Sequence, residues 1–464
     1  MPAGLEPFAP SSSDPWDSAK AGHLLRRAGF GPSRDEVAAA VAAGPDRAVD
    51  ALFAFPPEPP MPPIFEDAIG AEREADIALE SILARRERPK DHPELRALYD
   101  EVNRAHGRAI VALTAWWLGR MATSPAPLQE KLTLFWHGHF TSSFGDVHDA
   151  IAMYYQNALF RRAAAGDFAR LFDGVARDPA MLRYLNNDQN HKGHPNENWA
   201  RESMELFTLG IGHYTENDVR ESARAWTGWT LRDYRTFEGR RSFAFKPQLH
   251  DGGRKIFLGQ TGSWDGTDVM RIILAAPPAP RWIAGKLVAF FVAPQPPADL
   301  VDAMAAAVSA NNYDLKPVLR ALFRSRAFYR PEVVHAHVKS PAEFVVGAVR
   351  QLGVQQPDWT RLSGAMALMG QHLFFPPTVA GWDGGTRWIN AGTVFARSDV
   401  AAGLLAGRLG TPSLAPFGSL EAVTAQLLGR PLPPARQAVL AQTPGLSTAA
   451  AVQLVMTLPE YQVA

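Results

Sequence analysis

Apolar residues recur every three or four positions through most of this 464-residue chain, the spacing of one face of an α-helix. The first run, 21–43, places Leu24, Leu25 and Ala28 on one side, breaks at Gly29-Phe30-Gly31-Pro32 and restarts at Ser33. Glu36 stands three residues beyond Ser33, the spacing at which two side chains cap each other's backbone N–H groups. Residues 56–63 hold six prolines in eight positions, so this stretch lacks the donors a helix needs and is expected to be an extended loop. The segment 71–101 reads as a charged, exposed helical region, and Ile110, Leu113, Trp117 and Met121 mark a more apolar helix over 108–121. Helical spacing returns over 128–135, 150–162, 167–177, 197–209 and 216–229. Later windows are 268–275, 281–292, 300–311, 315–326, 341–352, 359–370, 393–409 and 446–458.

Alternation is confined to two short stretches, Ser242-Phe243-Ala244-Phe245 and Lys255-Ile256-Phe257-Leu258, on either side of a loop with His250, Asp251, Gly252 and Gly253. The pattern predicts a small β-hairpin over 242–258. The expected fold is therefore mostly α: a multi-helical globular protein with a small β-hairpin insertion, organised as one domain over 1–464. Residues 1–20, rich in Pro and Ser, read as a flexible lead, and 410–464 as a C-terminal extension packed on the body.

Composition narrows the partners. Lys plus Arg equals Asp plus Glu at 47 each, so no net field draws the chain to nucleic acid, and none is expected as a partner. The absence of cysteine excludes disulfides, thiolate metal sites and a cysteine nucleophile. No uncharged apolar run reaches the roughly 18 residues of a membrane span, so no transmembrane segment is expected. The N-terminus has no basic start followed by an apolar run, which predicts a cytoplasmic protein. Oligomeric state is left open. Serine-hydrolase elbow, His-Glu-x-x-His, dinucleotide and phosphate-loop patterns are all missing.

The chemistry concentrates in a few places. At about 100° per residue, Asn198, Glu202 and Glu205 share one stripe of the helix over 197–209, with Arg201 beside them. Such a stripe is either a solvated face, with Arg201 and Glu205 paired on the outside, or a buried ionic network; the flanking Trp199, Met204 and Phe207 favour the buried network, with Arg201 bonded to a carboxylate inside the protein. His137 and His139 lie about 200° apart on a continuous helix, but an extended turn at Gly138 would aim both rings one way. His137, His139, Glu202 and Glu205 together are a donor set suited to zinc, iron or manganese, so a divalent metal is a candidate cofactor. Without a metal, Glu202 and Glu205 become a general acid/base pair. Arg201 would orient a carboxylate or hold an anionic substrate group. His250 and Asp251 form either a further catalytic pair or a local turn. Trp226, Trp229, Trp382 and Trp388 read as core and interface material. The expected activity is hydrolysis or oxidation of a small molecule or polymer, and the rival is a binding or assembly module in which these residues are a structural network.

Four segments carry a family resemblance: His23-Leu24-Leu25-Arg26-Arg27-Ala28-Gly29-Phe30-Gly31-Pro32; Phe135-Trp136-His137-Gly138-His139-Phe140; Pro195 to Glu202 continued through Glu205-Leu206-Phe207-Thr208-Leu209-Gly210 to Tyr214-Thr215-Glu216; and Phe375-Pro376-Pro377-Thr378-Val379-Ala380-Gly381-Trp382 with Trp388 and Asn390. In this order, with His250-Asp251 and Pro459-Glu460, the chain resembles the bacterial family known as domain of unknown function 1800. The resemblance implies a mostly helical fold and brings no established catalytic residues.

Overall fold

Local capping chemistry sets where many helices begin. Ser33 and Glu36 form the expected reciprocal cap at the start of Arg34–Ala43. Asp149, Asp167 and Asp178 each accept backbone N–H groups at the starts of Ala150–Ala163, Phe168–Ala176 and Pro179–Tyr184. The computed structural model describes residues 4–441 and 446–464, with the side chains of 439–441 left aside. The chain is 61% helical, and the β structure among the described residues is two small antiparallel sheets. The mostly α expectation holds.

The β insertion is present, but its strands pair differently from the expected 242–258 hairpin. Strand β1 (Trp229–Leu231) pairs with β2 (Phe243–Phe245), and β3 (Lys255–Phe257) pairs with β4 (Gln260–Gly262). The second pair turns through Leu258 and Gly259, both at positive φ (45° and 75°), the two-residue turn that matches strand twist. Alternation reveals a strand but not its partner.

Two large apolar cores organise the molecule. One gathers Leu24, Val49, Phe172, Trp199, Trp226, Leu287 and Phe323. The other gathers Leu113, Trp117, Ile151, Phe344, Leu362 and Val455. The tail contributes Val423, Leu427 and Tyr461 to this second core, and a helix at Leu420–Leu428 that its Pro-rich pattern did not announce. Within the lead, Leu5 and Phe8 are buried, and Phe8 N–H donates to the Arg324 carbonyl at 2.7 Å. The region 71–101 is two helices, Glu66–Ala84 and the start of Pro93–Thr123, packed together and burying Glu72. Among the described residues, no helix is long and apolar enough to cross a membrane.

Helix Pro127–His139 lies at the seam. Leu128, Leu132, Phe135 and Trp136 belong to one core and Leu134 to the other. Every residue from Leu128 to His137, and His139, is buried, so its polar side chains must find partners inside the protein. Glu130 accepts from Arg161, Arg120 and Trp117, and Lys131 donates to the Gly29 carbonyl at 2.8 Å and pairs with Glu343.

Candidate functional site

The seam helix is continuous through Gly138, so His137 and His139 leave it in different directions. His137 Nε2 accepts from Phe374 N–H at 3.0 Å, and its ring meets Trp117 edge-on. His139 Nε2–H donates to the Phe207 carbonyl at 3.0 Å. Burial pushes the pKa of His137 down to about 3. Burial, with help from the Lys286 ammonium, does the same to His139. Both rings are neutral at physiological pH.

Glu202 and Glu205 stand on helix Asn198–Glu205. Tyr214 O–H donates to Glu205 Oε2 at 2.5 Å. Burial, followed by the neighbouring Glu205 charge, raises the pKa of the half-buried Glu202. Arg201 is not in an internal network. It pairs with Glu197 one turn back at 3.3 Å and with Glu216 at 2.8 Å, and its side chain is 32% exposed. The expectation of a buried Arg201 is corrected: the residue lies on a solvated face, with Glu197 and Glu216 as partners in place of Glu205. The helix is short enough for its polar edge to reach water while Trp199 and Met204 fill the core.

His250 and Asp251 serve the β insertion. His250 Nδ1–H donates to the Thr227 carbonyl at 2.9 Å, and Asp251 binds Arg224 at 2.7 Å and caps Gly253 N–H. His137, His139, Glu202 and Glu205 do not form a group of three or more ligand atoms within 4.8 Å of one another. The group of three ligand-type side chains that does converge, among the described residues, is Glu72, His106 and Asp149, with ligand atoms within 4.8 Å of one another. A guanidinium already bonds two of its members: Arg241 donates to both Glu72 and Asp149. His106 Nδ1 accepts from Ala150 N–H, its Nε2–H donates to Glu72, and Asp149 caps two further N–H groups. This trio is a closed ionic joint between three helices and the β insertion.

The seam also holds a cavity of about 310 Å³, lined by Gly138 and His139, Leu206, Lys286, His337, Glu343, Trp382 and Trp388 among others. Gly381 makes this wall possible. At φ +80° it brings the Trp382 segment so near the seam helix that an added Cβ would lie 2.6 Å from the Gly138 carbonyl oxygen. Lys286 Nζ sits 4.8 Å from the centre of the Trp282 ring. Burial lowers its pKa, and no opposite charge among the described residues offsets the effect. Across the cavity, His337 Nε2–H donates to Glu343 at 3.1 Å, while its buried Nδ1 has no partner among the described residues. Burial works to raise the Glu343 pKa, but Lys131 and His337 outweigh it and hold this carboxylate well below its usual range.

Of the residues singled out in the sequence, His139, Trp382 and Trp388 line this cavity. Lys286, His337, Glu343 and Lys131 escaped notice. A Ser-x-x-Glu cap at Ser340 and Glu343 was visible, but it signals a helix start and not a buried carboxylate. Lys286 looked like any charged residue on an amphipathic helix.

A family model described as protein of unknown function (DUF1800) matches residues 23–463. The chain belongs to this family. No curated protein and no solved structure matches it.

Proposed function

We propose that this protein is an enzyme that takes a small organic anion into the seam cavity. Lys286 holds the anionic group, Trp382 and Trp388 flank the body of the molecule, and His139 with the His337–Glu343 pair supplies acid–base groups. The observation that carries this reading is that a partly desolvated ammonium with no ion-pair partner and a buried imidazole nitrogen with no donor, among the described residues, belong to side chains lining one cavity. An ammonium without a carboxylate partner and an imidazole nitrogen without a donor both face costs that a ligand relieves. A carboxylate that orients one imidazole nitrogen and leaves the other as acceptor is the usual support of a general base. Phe135 of one core and Leu134 of the other both line the cavity, so the reading treats the whole chain as one functional unit.

Binding is tested by ligand-observed NMR with benzoate and indole-3-acetate. Wild type should bind, and Lys286→Met should lose binding while keeping its fold, since Lys286 makes no ion pair among the described residues. Absent binding, or equal binding by Lys286→Met, would sink the assignment. Hydrolysis of p-nitrophenyl esters, compared between wild type and His337→Gln, reads the acid–base part. Binding without turnover of any ester favours the binding-module alternative.

A second reading keeps catalysis on Glu202 and Glu205. It is favoured by the short bond that Glu205 accepts from Tyr214 and by the raised pKa of Glu202, which biases Glu202 towards its protonated form. Loss of turnover in Glu202→Gln, with His337→Gln active, would move the chemistry there. A metal held by His137, His139, Glu202 and Glu205 has less support, because each ring already uses Nε2 on a backbone group.

A further inference from the structure

The first family segment, which contains Arg26, takes no part in the seam cavity. Arg26 ends one side of a second, larger cavity of about 720 Å³, where Arg34, Arg430 and Glu421 also line the wall. Three cationic side chains against one carboxylate leave this space strongly positive. Arg26 is only 5% exposed, and its Nε and Nη2 have no hydrogen-bond partner among the described residues. No side-chain or terminal carboxylate pairs with it among the described residues. Its neighbours aggravate the charge: burial and the Arg430 guanidinium lower its pKa to about 10. His335, also beside it, is pushed down to about 3 by burial and by Arg26 and Arg430.

The backbone is shaped around this guanidinium. It lies against two glycines, Gly22 on its own helix and Gly429 at the end of helix Leu420–Leu428. An added Cβ at Gly429 would fall 2.5 Å from Arg26 Nη1, and one at Gly22 would fall 3.1 Å from it. A purely structural role would be to cap the carbonyl end of Leu420–Leu428, but Arg26 donates to none of those carbonyls among the described residues. A buried guanidinium without acceptors is unfavourable by itself, and an incoming oxyanion supplies the acceptors it lacks.

We infer that this cavity is a binding site for a phosphorylated small molecule, with Arg26 at its base and Arg430 and Arg34 at its mouth. Three guanidinium groups call for more than one negative charge, which a phosphate or pyrophosphate group carries and a single carboxylate does not. The volume exceeds that of a bare phosphate, leaving room for an organic body.

Inorganic pyrophosphate is the probe, titrated by calorimetry and by thermal melting against sodium chloride of equal ionic strength. Wild type should show a saturable rise in melting temperature. Arg430→Gln and Arg34→Gln, both at partly or fully exposed positions, should bind about tenfold more weakly or worse. Arg26→Met should abolish binding and, in the absence of pyrophosphate, melt no lower than wild type, because it removes a charge that has no partner. The inference fails if wild type responds no more to pyrophosphate than to the matched salt, or if the two surface variants bind as wild type does. A citrate response equal to that of pyrophosphate overturns the phosphoryl assignment. The seam-cavity probes above use other residues, so either site can fail without the other.

Discussion

Glu130→Gln removes one negative charge from a carboxylate with no exposure to solvent. Arg161 donates to it from Nε at 2.8 Å and Nη2 at 3.0 Å, Arg120 from Nε at 3.1 Å and Nη2 at 3.0 Å, and Trp117 from Nε1 at 3.0 Å. Gln keeps the shape but not the charge, and its amide NH2 must face one of these donors. Arg161 cannot turn to water instead, since it is 1% exposed and its Nη1 already has no partner among the described residues. Breaking a buried pair in this way costs about 3–5 kcal/mol. Arg201→Ala is the control: its partner Glu216 is 69% exposed, and the expected loss is about 0–1 kcal/mol. Urea unfolding followed by tryptophan fluorescence, fitted with a common slope, measures both. Burial works to raise the Glu130 pKa, but Arg161 and Arg120 outweigh it and the net shift is downward. Its contribution is therefore full above the unfolded pKa of about 4.3 and is lost as pH falls through the lower folded value. The gap between wild type and Glu130→Gln should be complete at neutral pH and close in strong acid. A variant within about 1 kcal/mol of wild type, or one less damaged than Arg201→Ala, would refute the account of the seam helix.

Three further outcomes are expected. His137 and His139 have folded pKa values of about 3, so the stability they confer is full above the unfolded value and drains away as pH falls towards 3. Each ring adds a slope of about 1.4 kcal/mol per pH unit below roughly pH 6.5. His137→Gln, whose side-chain carbonyl still accepts from Phe374 N–H, should flatten that slope by one ring's worth, and an unchanged slope would count against burial of a neutral His137. Gly381→Ala places a Cβ 2.6 Å from the Gly138 carbonyl oxygen at a positive φ, and should destabilise by about 2 kcal/mol or more on thermal melting while weakening ligand binding in the seam cavity. Dialysis against EDTA should leave the melting temperature unchanged, because Arg241 fills the Glu72, His106 and Asp149 joint; a drop restored by zinc would contradict this.

Much of the candidate site was out of reach of sequence reading for a definable reason. His139, Trp382 and Trp388 were conspicuous by residue type, and all three reach the seam cavity. Lys286 and Lys131 are chemically alike on paper, yet one pairs with Glu343, 212 positions away, and the other has no such partner among the described residues. Arg201 illustrates the converse. Its stripe on the helix was correctly placed, but whether a stripe meets water or a second helix depends on what packs there.

The sequence by itself determined the helical class, the capped starts such as Ser33 with Glu36, the proline loop and the presence of a small β insertion. All of these follow from interactions within a few residues, where backbone geometry and side-chain spacing are enough. Only the tertiary structure decided which strands pair, that the helix Pro127–His139 is enclosed by two cores, and that a guanidinium pairs with Glu72 and Asp149 of the Glu72, His106 and Asp149 group. Burial and charge pairing are set by segments tens to hundreds of residues apart, so the energy of a buried charge is a property of its neighbours in space and is carried by no local pattern.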